Sequence, residues 1–289
     1  MKTIMITGIA GGFGKPTALA LLQQGYRVAG SVRSKTGKNA AAVAELEAAG
    51  AILIEMDVTD TASTEAGIAA AIAQLGGLDI LFNNAGVGAH GIQELMAPED
   101  MTRVFEVNVM GVQRVMRAAL PHMRAQGHGT VLYTSSLIGR ITTPFYGTYS
   151  ASKWALEAIV ECYRSELSGF GIESCIIEPG AMPTAFFDGL IAPQDAARAA
   201  EYGAFAEVPA QSNAGLAEML AATPQQRPER VAEAVVALLE RPFGAKPFRT
   251  VVDHVGVGPE IERYNSVLHD VTRTVMSNFG IEEMLTLNA

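Results

Sequence analysis

Cysteine is scarce in this chain of 289 residues, which holds only Cys162 and Cys175. Neither C-x-x-C spacing nor the density of a secreted disulfide scaffold is present, so a reducing compartment is expected and both thiols read as core residues. Long apolar runs are missing too. Gln, Arg, Asp or Gly clusters interrupt every hydrophobic stretch before the roughly 18 residues of a membrane helix, so no membrane partner and a cytoplasmic location are expected. The early run Ile4, Met5, Ile6 stops at a glycine-rich loop containing Lys15 and reads as a first strand, not a signal peptide. Positive charge is in deficit, 21 Lys and Arg against 30 Asp and Glu, for a net charge of −9. That balance attracts neither a phosphate backbone nor an anionic surface, which argues against nucleic acid; any anionic ligand must be held by local geometry. The histidines at 90, 122, 128, 254 and 269 have no H-E-x-x-H or other ligand spacing, so no metal is expected. Gly-x-Ser-x-Gly is absent as well, which excludes the usual hydrolase nucleophile turn.

What is present is a 49% hydrophobic composition and a regular alternation. Short apolar, β-rich runs occur at 3–7, 27–32, 51–56, 78–82, 130–134, 172–177 and 248–252, separated by segments of helical period such as Ala18, Leu19, Leu22, Tyr26. The runs are apolar on both faces, as buried parallel strands are. The expected fold class is therefore α/β: a doubly wound, mostly parallel sheet with helices on both faces, Rossmann-like, in one domain over 1–289. Residues 183–228 break the rhythm with Ala-rich, Pro-containing sequence and read as a helical excursion or flap, at about 185–227. Ile261, Tyr264, Leu268, Val271 and Val275 share one helical face, so the tail from about 259 to 289 is expected to be a docked helix.

The first strand runs into Thr7-Gly8-Ile9-Ala10-Gly11-Gly12-Phe13-Gly14 and then a helix. Glycines allow positive φ and close backbone approach, and a helix N-terminus offers free N–H groups to a diphosphate. A tight strand-to-helix turn is the plainer reading of the glycines, but their place after the first strand of an α/β sheet favours a dinucleotide. Tyr149 and Lys153 stand four apart at the start of an expected helix, on one face. A nearby ammonium favours a phenolate and lowers a tyrosine pKa, which makes such a pair a usable general acid/base. Ser136 lies 13 residues upstream of Tyr149, directly after an expected strand, and Asn108 lies 28 residues before Ser136.

With the loop spaced T-G-x-x-x-G-x-G, Asp57 after the third strand, Asn83-Asn84-Ala85-Gly86 after the fourth, then Asn108, Ser136, Tyr149-x-x-x-Lys153 and Pro179-Gly180, the chain resembles the short-chain dehydrogenase/reductase family, in its shorter single-domain branch. The resemblance spans residues 3 to about 184. It implies an Asn108, Ser136, Tyr149, Lys153 tetrad. Ser136 would bind the substrate carbonyl, Tyr149 would protonate the developing alkoxide, Lys153 would lower the tyrosine pKa and hold the nicotinamide ribose, and Asn108 would bind a proton-relaying water. Ser135 is passed over in favour of Ser136. It further implies that Gly8, Gly11, Gly12, Phe13 and Gly14 cradle the cofactor, that Asp57 and Val58 border the adenine, that Asn84, Ala85 and Gly86 line the adenosine side, and that Pro179, Gly180 and Thr184 lie near the nicotinamide.

Cofactor choice turns on the end of the second strand, Ser31-Val32-Arg33-Ser34. No acid is there to bind a ribose diol, and Arg33, followed by Lys35 and Lys38, suits a 2′-phosphate. NADP is favoured over NAD, with an ordinary solvated loop as the plainer alternative. Phe145, Tyr146, Met182, Phe186 and Phe187 fall in loops from which the family builds its substrate pocket, implying an apolar pocket for a hydrophobic ketone or aldehyde; ordinary core packing is the alternative. His90 follows the Asn84-Ala85-Gly86 turn and reads as a loop histidine facing water. The function expected is NADP(H)-dependent interconversion of a carbonyl and an alcohol. The alternative is a non-catalytic NADP(H)-sensing protein on the same fold, disfavoured by the intact tetrad. The resemblance also implies a homodimer or homotetramer paired through helices at 103–125 and 150–168.

Overall fold

The structure is a computed structural model that describes residues 1–287; residues 288 and 289, the end of the expected tail, lie outside the described residues. The strands are β1 (Thr3–Ile6), β2 (Arg27–Val32), β3 (Ile52–Glu55), β4 (Ile80–Asn83), β5 (Gly129–Thr134), β6 (Ile172–Pro179) and β7 (Arg249–Val252). They form one sheet in the order β3-β2-β1-β4-β5-β6-β7, and every pairing is parallel. The helices are α1 (Gly14–Gln23), α2 (Ala40–Ala48), α3 (Thr61–Leu75), α4 (Pro98–Phe105), α5 (Gly111–Gln126), α6 (Gly147–Leu167), α7 (Ala196–Glu201), α8 (Val208–Ala221), α9 (Glu229–Glu240) and α10 (Gly258–Asn278). Each expected strand is found within about two residues of its expected bounds.

Period-two alternation sends successive side chains to opposite faces of the sheet. Met5, Leu81, Val131 and Ile176 pack with Val112, Val115, Met116, Leu156 and Val160 of α5 and α6. Ile4, Ile6, Phe82, Leu132 and Ile177 pack on the other face with Leu21 of α1 and Val235 and Leu238 of α9. Both faces being covered, the central strands read as continuous apolar runs. The strand order reverses between β1 and β4, and the loops after β1, β4 and β5 converge at that switch point, where open α/β sheets bind ligands.

One close approach is built into the half of the sheet that holds β1 and β2. At Gly30 of β2, a Cβ would lie 2.5 Å from Ile9 Cβ. Gly30→Ala is expected to overpack this contact and cost about 1–3 kcal/mol, a fall in Tm of roughly 2–4 °C per kcal/mol for a chain this size. Thermal unfolding followed by circular dichroism would measure it; an unchanged Tm would mean that Ile9 moves aside freely.

Two details differ from the sequence reading. Cys175 is buried but Cys162 is exposed, because α6 turns that position away from the sheet. The tail does form a helix, α10, but it docks through its first turns only. Ile261 is buried while Tyr264, Val271 and Val275 are exposed, together with Val267 and Phe279. The flap contains α7, α8 and short 3-10 turns, tied to the body by an isolated parallel bridge between Ala89 and Ile191.

Candidate active site

The site begins where β5 ends. Thr134 closes the strand, and Ser136 follows in extended backbone, its Oγ accepting from the Ile138 N–H at 3.4 Å. Helix α6 then presents Tyr149 and Lys153 one turn apart, both buried, at 8% and 4% exposure. The Lys153 ammonium donates to the Thr134 carbonyl at 2.8 Å and lies 5.7 Å from the centre of the Tyr149 ring. Asn108 comes from a single π-turn, Glu106–Met110, inserted between α4 and α5. Such widened turns recur at functional sites because they re-aim a side chain. Its Nδ2 donates to the Val87 carbonyl (2.9 Å) and to Ser152 Oγ (3.0 Å), and its Oδ1 accepts from the Val87 N–H (2.9 Å). Ser152 in turn donates to the Tyr149 carbonyl at 2.7 Å. Asn108 therefore locks the loop after β4 to the turn of α6 that carries the tyrosine. A Cβ at Gly86 would press to 3.3 Å from Asn108 Oδ1 and 3.6 Å from Lys153 Nζ.

Electrostatics at this centre are set by burial. Burial pushes the Tyr149 phenol well above the ordinary tyrosine range; Ser136 facing the hydroxyl pulls the other way, and Tyr146 adds to the rise. Burial also pushes Lys153 down to about 8, opposed by the carboxylate of Glu157. The lowering of the tyrosine expected from the Tyr-Lys spacing is not what this pocket produces. The ammonium is aimed at the Thr134 carbonyl, and desolvation of the phenolate dominates. Tyr149 is thus a protonated phenol at neutral pH, ready to donate.

Around the first turn, Gly8 (φ +67°) and Gly12 (φ +50°) take left-handed backbone. A Cβ on Gly11 or Gly12 would meet nothing, whereas one on Gly14 would sit 2.5 Å from the Gly8 carbonyl. The loop is therefore tight on its inner side and open on its outer one, which fits the diphosphate of a dinucleotide. Asn84 fastens it: Nδ2 donates to the carbonyls of Thr7 (3.0 Å) and Gly8 (3.3 Å), and Thr7 Oγ1 accepts from the N–H groups of Asn84 and Ala85, both at 2.9 Å. Phe13 is half-buried against the α1 side of the core.

After β2, Arg33 is exposed. Among the described residues it has no hydrogen-bond or ion-pair partner, while Lys35 is paired with Glu47 at 3.3 Å. Val58 is buried. Asp57 accepts from Thr59 N and Oγ1 at 2.9 and 2.8 Å. Burial works against its charge, but these bonds with Arg33 and Arg114 outweigh it and hold the carboxyl below its usual range.

Pro179 ends β6, and Gly180 follows with no room for a side chain: a Cβ would lie 2.6 Å from Asp253 Oδ1 and 2.7 Å from Gln226 Nε2. Gln226 is a residue that sequence reasoning missed. Nearly fully buried, it donates to the Ala181 carbonyl at 2.8 Å and accepts from the His254 N–H at 2.6 Å, so it holds the Pro179-Gly180 turn against the loop after β7. A second missed residue is Glu157, also fully buried. It accepts from Ser135 Oγ at 2.5 Å and pairs with Arg140 at 2.6 Å and Arg249 at 3.1 Å. Its position one turn beyond Lys153 was the available signal. Glu178, nearby, is pushed up to about 8 by burial and by Glu157, against the pull of Arg249.

Of the aromatic residues, Phe186 reaches the site, its ring 5.5 Å from that of Tyr149. Thr184 Oγ1 accepts from the Phe186 N–H at 3.4 Å. Phe145 lies 6.0 Å from His90 and from Phe205. It has positive φ, +70°, a strained state for an aromatic residue, stabilised by its carbonyl accepting from the Gly91 N–H at 2.8 Å. Met182 is buried in the core cluster that also holds Leu132 and Val231. His90, expected to face water, is 93% buried, with 7% exposure, because the flap covers it.

Comparison with known proteins agrees with this geometry. The profile of a family described as short chain dehydrogenase matches residues 2–195, more than half of the chain. A 3-ketodihydrosphingosine reductase of Bacteroides thetaiotaomicron is 36% identical over 187 residues, 65% of this chain and 66% of that protein, a little under two thirds of its length. Among solved structures, a short chain dehydrogenase/reductase of Burkholderia phymatum in complex with NAD superposes with TM-score 0.76 at 26% identity, covering 93% of this chain and 95% of that one. An alcohol dehydrogenase of Thermococcus sibiricus complexed with 5-hydroxy-NADP gives 0.69 at 26% identity, covering 87% and 95%. Among the described residues, no helix is long and apolar enough to cross a membrane.

Proposed function

This chain belongs to the short chain dehydrogenase family, and from that premise we propose that it is an NADP(H)-dependent oxidoreductase interconverting a hydrophobic ketone or aldehyde and its alcohol. The observation that carries this reading is the buried, protonated Tyr149 phenol facing Ser136, with Lys153 one turn along α6. In the reductive direction the Ser136 hydroxyl donates to the substrate oxygen and fixes it beside Tyr149. Tyr149 gives its phenolic proton to that oxygen. The Lys153 ammonium stabilises the phenolate left behind, and burial of all three groups strengthens each interaction by excluding water. The bound nicotinamide would supply the hydride. Gly8, Gly12 and the start of α1 would hold its diphosphate, Asp57 and Val58 its adenine, and Arg33 its 2′-phosphate. Asn108 acts by holding α6 and the β4 loop in register; the free lone pair of its Oδ1 is where a relaying water would bind. Phe186 over Tyr149 supports an apolar substrate, as do the relatives' names. Residues 185–227 serve as the cover of this pocket, and 1–289 function as one unit. Met110, in the turn that leads into α5, and Trp154 of α6, both exposed, support pairing of subunits through this surface into a dimer or tetramer.

Titration with NADPH and, separately, NADH tests the cofactor assignment. Arg33→Ala is expected to weaken NADPH binding roughly 10- to 100-fold, the worth of a charge-assisted phosphate contact, with little change for NADH. Equal effects on the two cofactors, or tighter NADH binding by the unaltered protein, would overturn it.

A further inference from the structure

The flap does more than cover the pocket. Asn213, on α8, bridges two residues of the body: its Oδ1 accepts from the Tyr146 hydroxyl at 2.7 Å, and its Nδ2 lies 3.4 Å from His90 Nδ1. The polarity of this chain follows from chemistry. A phenol donating into Oδ1 leaves the amide N–H to point at His90, an amide N–H can only donate, and so Nδ1 accepts. A neutral imidazole accepting at Nδ1 carries its hydrogen on Nε2. Burial lowers the pKa of this ring and keeps it neutral. Nε2 is itself buried and has no partner among the described residues. Native proteins rarely leave a buried donor unpaired, because its lost hydration is not returned.

The surroundings of this donor are those of the active site. The His90 ring lies 4.6 Å from Tyr146 and 6.0 Å from Phe145, the segment that leads into Tyr149. Phe186, which meets Tyr149, also covers Gly88 two residues before His90, where a side chain would collide with its ring. The two imidazole nitrogens leave the ring in divergent directions, so with Nδ1 toward Asn213, Nε2 leaves on a different side of the ring from that contact.

We propose that His90 is a second polar anchor for the substrate, its Nε2–H donating to an oxygen other than the one that reacts. The favoured substrates are then hydrophobic carbonyl compounds with a second acceptor oxygen, such as a keto, ether or hydroxyl group. Asn213 is a positioning residue that sets the His90 tautomer, so the anchor is complete when α8 is docked. This assignment rests on Tyr149 being the proton donor to the carbonyl.

The test uses linear diketones of graded carbonyl spacing, each against the monoketone of equal length, with NADPH. The unaltered protein is expected to favour one diketone spacing by roughly 10- to 100-fold in kcat/KM, carried mainly in KM because the contact is present in ground and transition state alike. In His90→Leu the ratio collapses toward one; His90→Gln, which keeps an N–H donor, restores part of it, and Asn213→Leu gives an intermediate ratio. A ratio near one in the unaltered protein at every spacing, or a ratio retained in His90→Leu because both ketones lose equally, overturns the anchor while leaving Tyr149 in its role. Failure to reduce any ketone removes the role of Tyr149 and the anchor with it. Should His90→Leu not fold, ¹⁵N spectra of the unaltered protein decide: the Nε2–H tautomer is expected, and the Nδ1–H tautomer overturns the proposal.

Discussion

Tyr149→Phe should lower kcat/KM by roughly 10²- to 10⁴-fold, the usual worth of a positioned general acid, and leave NADPH affinity within a few-fold of its original value. The ring stays, so its contact with Phe186 and the packing around Ser136 stay; only the transferable proton is removed. Burial makes this loss hard to compensate. The site excludes water at Tyr149, and the neighbouring groups with protons, Ser136 and Lys153, are a poor acid and one already committed to the Thr134 carbonyl. Steady-state rates with any reducible ketone, together with a cofactor titration, check the expectation. A variant with full activity would remove Tyr149 from the mechanism, whereas loss of cofactor binding in parallel would assign it to cofactor retention.

Lys153→Met should separate activity from stability in opposite directions. Removing the ammonium leaves the Tyr149 phenolate unsupported once its proton has gone, and a fall in kcat of roughly 10²- to 10⁴-fold is expected on the same grounds. The folded protein, however, holds this lysine at about 8, against an ordinary 10.5. Between those two values the unfolded chain binds a proton that the native protein lacks, so stability rises with pH across that window and the full cost is present below about pH 8. The cost corresponds to at most roughly 3 kcal/mol. Methionine fills similar space without a charge, so the variant should gain up to that amount at pH 7, less the value of the lost bond to Thr134. The gain should shrink as pH approaches 10.5. Urea unfolding of both proteins at pH 7 and pH 10 measures it, and a variant destabilised at pH 7 would mean that Glu157 and Thr134 already compensate the buried charge. The same value sets the expected pH profile of the unaltered enzyme, with kcat falling above about pH 8 as the ammonium is lost.

Much of this was legible from the chain itself, for local reasons. Strands such as β4 and β5 read as apolar runs because both faces are covered, and the glycine loop reads as a turn because only glycine takes the φ of Gly8 and Gly12 without strain. Tyr149 and Lys153 declare themselves by a spacing that any helix converts into a shared face. Met182 carries no such signal, since its place in a loop says nothing of the core cluster its side chain joins. The face of α10 from Tyr264 to Val275 misleads similarly, since a helical period reports an amphipathic surface and not what covers it.

Gln226 and His90 carry no local signature, and Glu157 has only its place one turn beyond Lys153. Each acquires its character from partners far along the chain: Ala181 and His254 for Gln226, Arg249 for Glu157, and Asn213 for His90. The order of elements, the place of the glycine loop after β1 and the shared helical face of Tyr149 and Lys153 were determined by the amino-acid sequence alone, because backbone φ, hydrophobic period and short spacing act within a few residues. The protonation of Tyr149, the depressed lysine and the tautomer of His90 were decided only by tertiary structure. Those properties depend on how much water is removed from a group and on which dipoles replace it, and both are settled when distant segments meet.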